Sequence, residues 1–246
     1  MNTMVYSTVI GTAAGIIGTG LGGVFAFLLS HPSKRYLSTT LSMSAGLMIA
    51  VVCFDLLPRS FELGGLGTGL AGTVIGVAVI AFFQEILSRG MDQSRSNKKK
   101  NYLQTGILLG VGIALHNFPE GLAIGTGFTA VQTFGLGLSL VIALHDIPEG
   151  VAMATPMRMG GMKRYKVILS AFVAGIPTGI GALVGYILGE ISVTFISLCL
   201  GFAGGAMLYI TCSELIPEAR DLYKGRISGL GLIFGVILGI LVSQAI

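Results

Sequence analysis

Eight apolar stretches, at 4–30, 37–58, 64–88, 102–129, 134–157, 166–189, 191–217 and 227–246, each reach the roughly 20 residues that a helix needs to cross a hydrocarbon layer. In lipid every backbone N–H and C=O must find its partner inside the protein, so runs of this length fold as a bundle of spanning helices. Charged residues make up 11% of the chain, against about 25% in soluble domains, which leaves too little polar surface for a water-soluble globule. The expected fold is an all-α integral membrane protein with eight transmembrane helices in a single domain over 1–246.

The basic residues give the direction of each crossing, because cytoplasmic loops carry the excess of Lys and Arg. Lys34 and Arg35 follow the first stretch, and Arg89, Arg95, Lys98, Lys99 and Lys100 follow the third. Arg158, Lys163, Arg164 and Lys166 follow the fifth, and Arg220, Lys224 and Arg226 the seventh. These are 14 of the 15 basic residues; only Arg59 falls elsewhere. Strict alternation of this kind puts both termini outside, in a multi-pass protein of the plasma or inner membrane. It also accounts for the net charge of +4 without any nucleic-acid partner. Segment 89–101 is expected to be a flexible basic cytoplasmic loop, and His31, beside Pro32, to be solvated. Glu85 is expected to pair with Arg89 one turn on. The first stretch lacks the basic n-region and small-residue cleavage pattern of a signal peptide and is expected to be a retained helix. The three cysteines, Cys53, Cys199 and Cys212, lie in apolar stretches and are expected to serve packing.

Two hexapeptides interrupt this apolar background. His116-Asn117-Phe118-Pro119-Glu120-Gly121 lies in the fourth stretch and His145-Asp146-Ile147-Pro148-Glu149-Gly150 in the fifth, 29 positions later. Residues three and four apart share one helix face, so His116, Asn117 and Glu120 converge, as do His145, Asp146 and Glu149. Ionisable groups at membrane depth are costly and mark function by default. Two imidazoles, three carboxylates and an amide suit a borderline divalent transition metal such as Zn²⁺, in one site or two adjacent ones. Pro119 and Pro148 are expected to kink their helices beside the ligands, and Gly121 and Gly150 to leave that face open to a neighbour. The competing reading is polar helix packing, with His116 and His145 as hydrogen-bonding glue. It accounts for one copy, and poorly for two inverted copies that keep His, Pro, Glu and Gly.

A second repeat frames the first. Shifting the second stretch by 159 positions matches Met48 to Met207, Cys53 to Cys212, Leu56 to Leu215 and Pro58 to Pro217, with Asp55 opposite Glu214. The two stretches run in opposite directions, as inverted repeats do around a mid-membrane site. Met48 alone reads first as core. Asp55 and Glu214 either draw cations at the two mouths or anchor helix ends. Gly181, Gly185 and Gly189, then Gly231, Gly235 and Gly239, are small-residue stripes for close helix approach.

With these motifs in hand, the chain resembles the ZIP family of metal-ion transporters, in its prokaryotic GufA-like branch. The resemblance rests on SAGLM (44–48), HNFPEG (116–121), HDIPEGVAMATP (145–156), GALVG (181–185), GGAMLY (204–209) and ELIPEA (214–219). It implies a 3+2+3 arrangement of eight helices with inverted repeats, forming one transporter domain. It implies transport of zinc, and also of cadmium, iron or manganese, toward the cytoplasm by sliding of one helix group against another. It makes His116, Glu120 and Glu149 ligands of a primary site, with Met48 contributing, and places Asn117 and Asp146 at a neighbouring site sharing the glutamates. His145 is matched in the motif. A homodimer is implied by the family and by the glycine stripes. The chain departs from the pattern at Thr178, where many relatives carry a glutamate, which leaves the second site weaker, absent or differently selective. No histidine-rich loop is present. The metal is substrate, and no catalytic cofactor is expected. The alternative from another class, an intramembrane metal-dependent hydrolase, lacks both an H-E-x-x-H sequence and a separate nucleophile.

Overall fold

The structure, a computed structural model, describes residues 2–28, 33–89 and 98–244. His31, most of segment 89–101 and the side chain of Arg89 lie outside the described residues. Among the described residues the chain is helical, without strands: α1 (Thr3–Leu28), α2 (Lys34–Ala50), α3 (Leu57–Arg89), α4 (Lys98–Ala130), α5 (Gln132–Met159), α6 (Arg164–Ala174), α7 (Ile176–Gly189), α8 (Val193–Ile210), α9 (Ile216–Leu222) and α10 (Arg226–Ser243). Two short π-helical segments, π1 (Val51–Leu56) and π2 (Thr211–Leu215), join α2 to α3 and α8 to α9. Among the described residues, seven helical runs are long and apolar enough to cross a membrane. One of them, Lys34–Ile86, has 53 residues, or about 80 Å at 1.5 Å per residue, far more than one hydrocarbon thickness.

That long run contains a break at Gly65, whose φ of 77° and ψ of 163° are open to glycine and hostile to other residues. The connection expected at 59–63 is therefore helical, and the helix breaks later than the apolar pattern indicates. Similarly, α4 starts at Lys98, so the polar connection is shorter than 89–101. Serines set two other starts: Ser33 Oγ accepts from Tyr36 N–H at 3.1 Å and Ser192 Oγ from Phe195 N–H at 3.3 Å, satisfying donors that a first turn leaves free. Both α4 and α5 stay helical through Pro119 and Pro148.

The π segments have a local cause. A proline has no N–H and its ring crowds the carbonyl four residues back, here Phe54 for Pro58 and Ser213 for Pro217. Widening the preceding turn moves those carbonyls aside. The wide bonds are present, from Leu57 N–H to Val52 O and from Ile216 N–H to Thr211 O. The same 159-residue shift that relates the sequences brings the two π segments into register.

The helices pack as two groups. In one, α4 packs on α5 and α7 while α1 lies across α5, α6 and α7; in the other, α3 packs on α8, and α2 on α10 and α9. Contacts between the groups are thinner, mainly α4 on α8 and α2 on α5. Glycine sets the close approaches. Gly121 abuts the Thr178 backbone of α7, and Gly150 abuts Thr19 and Gly22 of α1, so the face beside each hexapeptide is filled by a neighbouring backbone. The Gly181 and Gly185 stripe lies on Phe118 and Leu122, and Gly231, Gly235 and Gly239 lie along α2. Both stripes are consumed within the chain, which removes them as an argument for a homodimer. Cys199 is buried as expected, whereas Cys53 and Cys212 are exposed; all three are free thiols.

Gly229 in α10 has open space where a Cβ would stand. Gly229→Ala is therefore expected to stabilise by up to about 1 kcal/mol through helix propensity alone. A thermal unfolding midpoint in detergent no lower than that of the parent chain checks it.

Candidate metal site

The α4 and α5 hexapeptides meet in the middle of the first helix group, and all six of their polar side chains are buried. His145 is the pivot. Its Nδ1 lies 3.1 Å from the Val141 carbonyl, which can only accept, so Nδ1 donates and Nε2 is the nitrogen left for a metal once a proton shared with Glu120 has gone. This is how an outer hydrogen bond prepares an imidazole for a metal. Nε2 faces Glu120 Oε1 at 2.9 Å and Asp146 Oδ1 at 3.4 Å. Two tetrahedral ligands about 2.05 Å from Zn²⁺ stand about 3.3 Å apart, so the aspartate spacing already fits and the glutamate needs to open by a few tenths of an ångström. Donor atoms of Glu120, His145 and Asp146 all lie within 4.8 Å of one another.

The surrounding polar atoms are unspent. Asp146 has no hydrogen-bond partner on either oxygen, nor has Glu149, and Glu120 Oε2 is likewise free. Buried carboxylate oxygens without partners are unfavourable in a finished apolar core and suit a site built to receive a cation. Asn117 donates from Nδ2 to the Ala174 carbonyl at 2.7 Å, which fixes its amide and leaves Oδ1 without a partner. Thr178 is fully buried with a partnerless hydroxyl, packed where Gly15 of α1 leaves room. Gly18, one turn further along α1, leaves room for Asp146.

His116 does not join the three-residue cluster. Its Nε2 is 3.0 Å from Glu214 Oε2, across the boundary between the helix groups, and its Nδ1 has no partner. His116, Glu149 and Glu214 instead line a cavity of about 480 Å³ that continues past Glu218 and Asp221 to Lys34. A larger cavity of about 800 Å³ between the groups is lined by hydrocarbon, including Phe83, Phe118, Met153 and Phe202, and holds none of the candidate ligands. Met48 is buried in the core with Sδ 3.6 Å from Thr211 Oγ1. Asp55, half-buried in π1, accepts from Ser243 Oγ at 2.6 Å and lines neither cavity.

The structure also brings in groups that the sequence reading passed over. Ser44 Oγ donates to the His145 carbonyl at 3.0 Å, tying α2 to the ligand helix. Gln84 of α3 donates from Nε2 to Glu214 Oε1. A signal for Gln84 exists in the sequence: it is the polar member of an otherwise small and apolar stripe, Gly72, Gly76, Ile80 and Gln84.

The chain is similar to proteins named for zinc transport. The family described as ZIP zinc transporter matches residues 84–243. The zinc transporter ZupT of Chlorobium chlorochromatii is 30% identical over 243 residues, covering 90% of this chain and 91% of that protein. That of Chlorobium luteolum is 33% identical over 242 residues, covering 89% and 90%, and that of Clostridium perfringens is 30% identical over 271 residues, covering 97% and 95%. With a family match across most of its length and relatives aligned nearly end to end, the chain belongs to the ZIP family of transporters.

Proposed function

We propose that this chain carries divalent transition-metal ions, zinc foremost, across the membrane toward the cytoplasm, with Glu120, His145, Asp146, His116, Asn117 and Glu149 as the mid-membrane donors. The observation that carries the reading is the set of buried carboxylate oxygens of Asp146, Glu149 and Glu120 without hydrogen-bond partners around a histidine whose Nε2 is turned toward Glu120 and Asp146. Relatives bearing the name zinc transporter support the choice of ion. Membership of a transporter family removes the hydrolase alternative.

In this reading the 53-residue run makes two crossings about Gly65, giving eight in one domain, arranged 3+2+3 with both termini outside. Lys34, Asp221 and the start of α4 then stand at the cytoplasmic end, where the basic loops lie. The cavity from His116 and Glu149 past Glu214 is the exit path, and the conformation is inward-open. Asp55, on the opposite side, serves the outer mouth. Sliding of α1 and α4–α7 against the other helices supplies alternating access, which the thin contact between the groups favours. Met48 adds a soft donor at the boundary. Thr178 contributes a hydroxyl where a carboxylate would bind more strongly, so the Asn117–Asp146 side is the weaker one. The homodimer rests on the family alone.

Metal ligation needs neutral imidazole and ionised carboxylate, so protons and metal compete. Lowering the pH from about 7.5 to about 5.5, through the ordinary imidazole range near 6.5, is expected to raise the KM for zinc uptake at least about 10-fold. Proteoliposomes with zinc outside test both points: saturable internal accumulation that weakens with acidity is expected. Accumulation no greater than in protein-free vesicles contradicts the transport reading, and a pH-independent KM contradicts the ligand chemistry.

A further inference from the structure

We propose that Gln84 is a positioning residue for transport: its amide holds Glu214 in the orientation from which that carboxylate takes the ion from His116. The inference rests on the reading of Glu214 as the first exit ligand. Glu214 is only partly covered, with its side chain 34% exposed, and it belongs to a π segment rather than a regular turn. A glutamate so placed has rotamers to choose from, yet it is held at both oxygens. Oε2 faces His116 Nε2 at 3.0 Å, and Oε1 accepts from Gln84 Nε2. A carboxylate oxygen accepts only, so the amide nitrogen must face it. The amide oxygen then lies 3.3 Å from Ser213 Oγ, whose proton goes first to the Tyr209 carbonyl at 2.6 Å, so it is the carboxylate that sets the orientation of the amide.

The register that brings Gln84 there is set by packing rather than by the amide. Gly72 meets the Leu198 carbonyl, and Gly76 meets the backbone of Phe202 and Ala206, so α3 and α8 touch backbone to backbone. Gln84 lies two turns past Gly76 on the same face, beside π2. The α3–α8 contact is therefore expected to survive loss of the amide, while the orientation of Glu214 is not. Gln84 and Glu214 belong to one helix group and His116 to the other. Sliding would carry His116 past a carboxylate that stays in place.

The test is a double-mutant cycle on zinc uptake by proteoliposomes, expressed per mole of reconstituted protein. Gln84→Leu is expected to lower Vmax roughly 5- to 20-fold, the scale of one charge-assisted hydrogen bond at a partly exposed site, and to leave KM within about twofold. In a Glu214→Ala background, Gln84→Leu is expected to add nothing, because its effect passes through Glu214. A Glu214→Ala variant with parental Vmax overturns the exit reading and this inference together. If Glu214→Ala is slow but Gln84→Leu is parental, or its effect multiplies with that of Glu214→Ala, only the role of Gln84 is overturned. Gln84→Met provides a second apolar replacement of similar length and is expected to match Gln84→Leu. If neither variant yields folded protein, Gln84 is a packing residue and the inference fails.

Discussion

Glu120→Ala is expected to weaken zinc binding at least about 100-fold, since losing groups one shell beyond a metal already costs about 10- to 100-fold. Glu120 is the central donor: its Oε1 is 2.9 Å from His145 Nε2, its Oε2 has no partner, and no part of the side chain meets solvent. Removing it reduces the tight three-residue cluster to His145 and Asp146, 3.4 Å apart, too few closely placed donors to replace the hydration shell of a divalent ion. His145→Ala is expected to cost as much, because Nδ1 already spends its proton on Val141 and, among the described residues, the cluster holds a single imidazole. His116→Ala is expected to lower the rate of uptake as well, through the cavity side. Equilibrium binding of zinc to the purified variants measures the first two effects. Parental affinity in Glu120→Ala would remove that residue from the site.

The second large effect is mechanical. Gly150→Val is expected to destabilise the chain by at least about 3 kcal/mol, the upper part of the range for overpacked cores. A Cβ at Gly150 runs into the Thr19 carbonyl and lies 3.0 Å from the Gly22 Cα, both backbone atoms of a 26-residue helix that has no side-chain rotamer to yield. Two further methyl groups enlarge the clash. The displacement also falls beside Glu149, so metal binding and stability are expected to drop together. For a chain of this length the loss corresponds to a fall in Tm on the order of 10 °C. Thermal unfolding in detergent, with Gly229→Ala as the unhindered control, separates a clash from a general intolerance of glycine replacement.

The two hexapeptides were legible because four-residue spacing places His and Glu on one face whatever the rest of the chain does. The helical class was legible for a similar reason, since lipid leaves few alternatives to long apolar helices. What sequence spacing does not contain is which oxygen meets which nitrogen. His116 and Glu120 share a face of α4, yet one reaches Glu214 of π2 and the other His145 of α5. That division depends on the packing of α4 between α5 and α8. Gln84 was hidden because its partner is 130 positions away and becomes a neighbour only when Gly72 and Gly76 seat α3 on α8. The π segments had a visible trace in Pro58 and Pro217, matched by the 159-residue shift. A proline can end, kink or widen a helix, however, and packing selects among these. The break at Gly65 falls a few residues past the expected connection for a related reason: apolar runs mark where a helix is soluble in lipid, and the backbone leaves helical geometry where φ turns positive.

Zinc flux through purified protein decides whether the buried donors around His145 bind an ion in passage. Proteoliposomes containing the parent chain or Glu120→Ala, with a zinc indicator trapped inside and zinc added outside, are the measurement. Saturable accumulation is expected with the parent chain and only the leak of protein-free vesicles with Glu120→Ala. Equal accumulation in both, with both proteins folded and reconstituted at the same density, would contradict it.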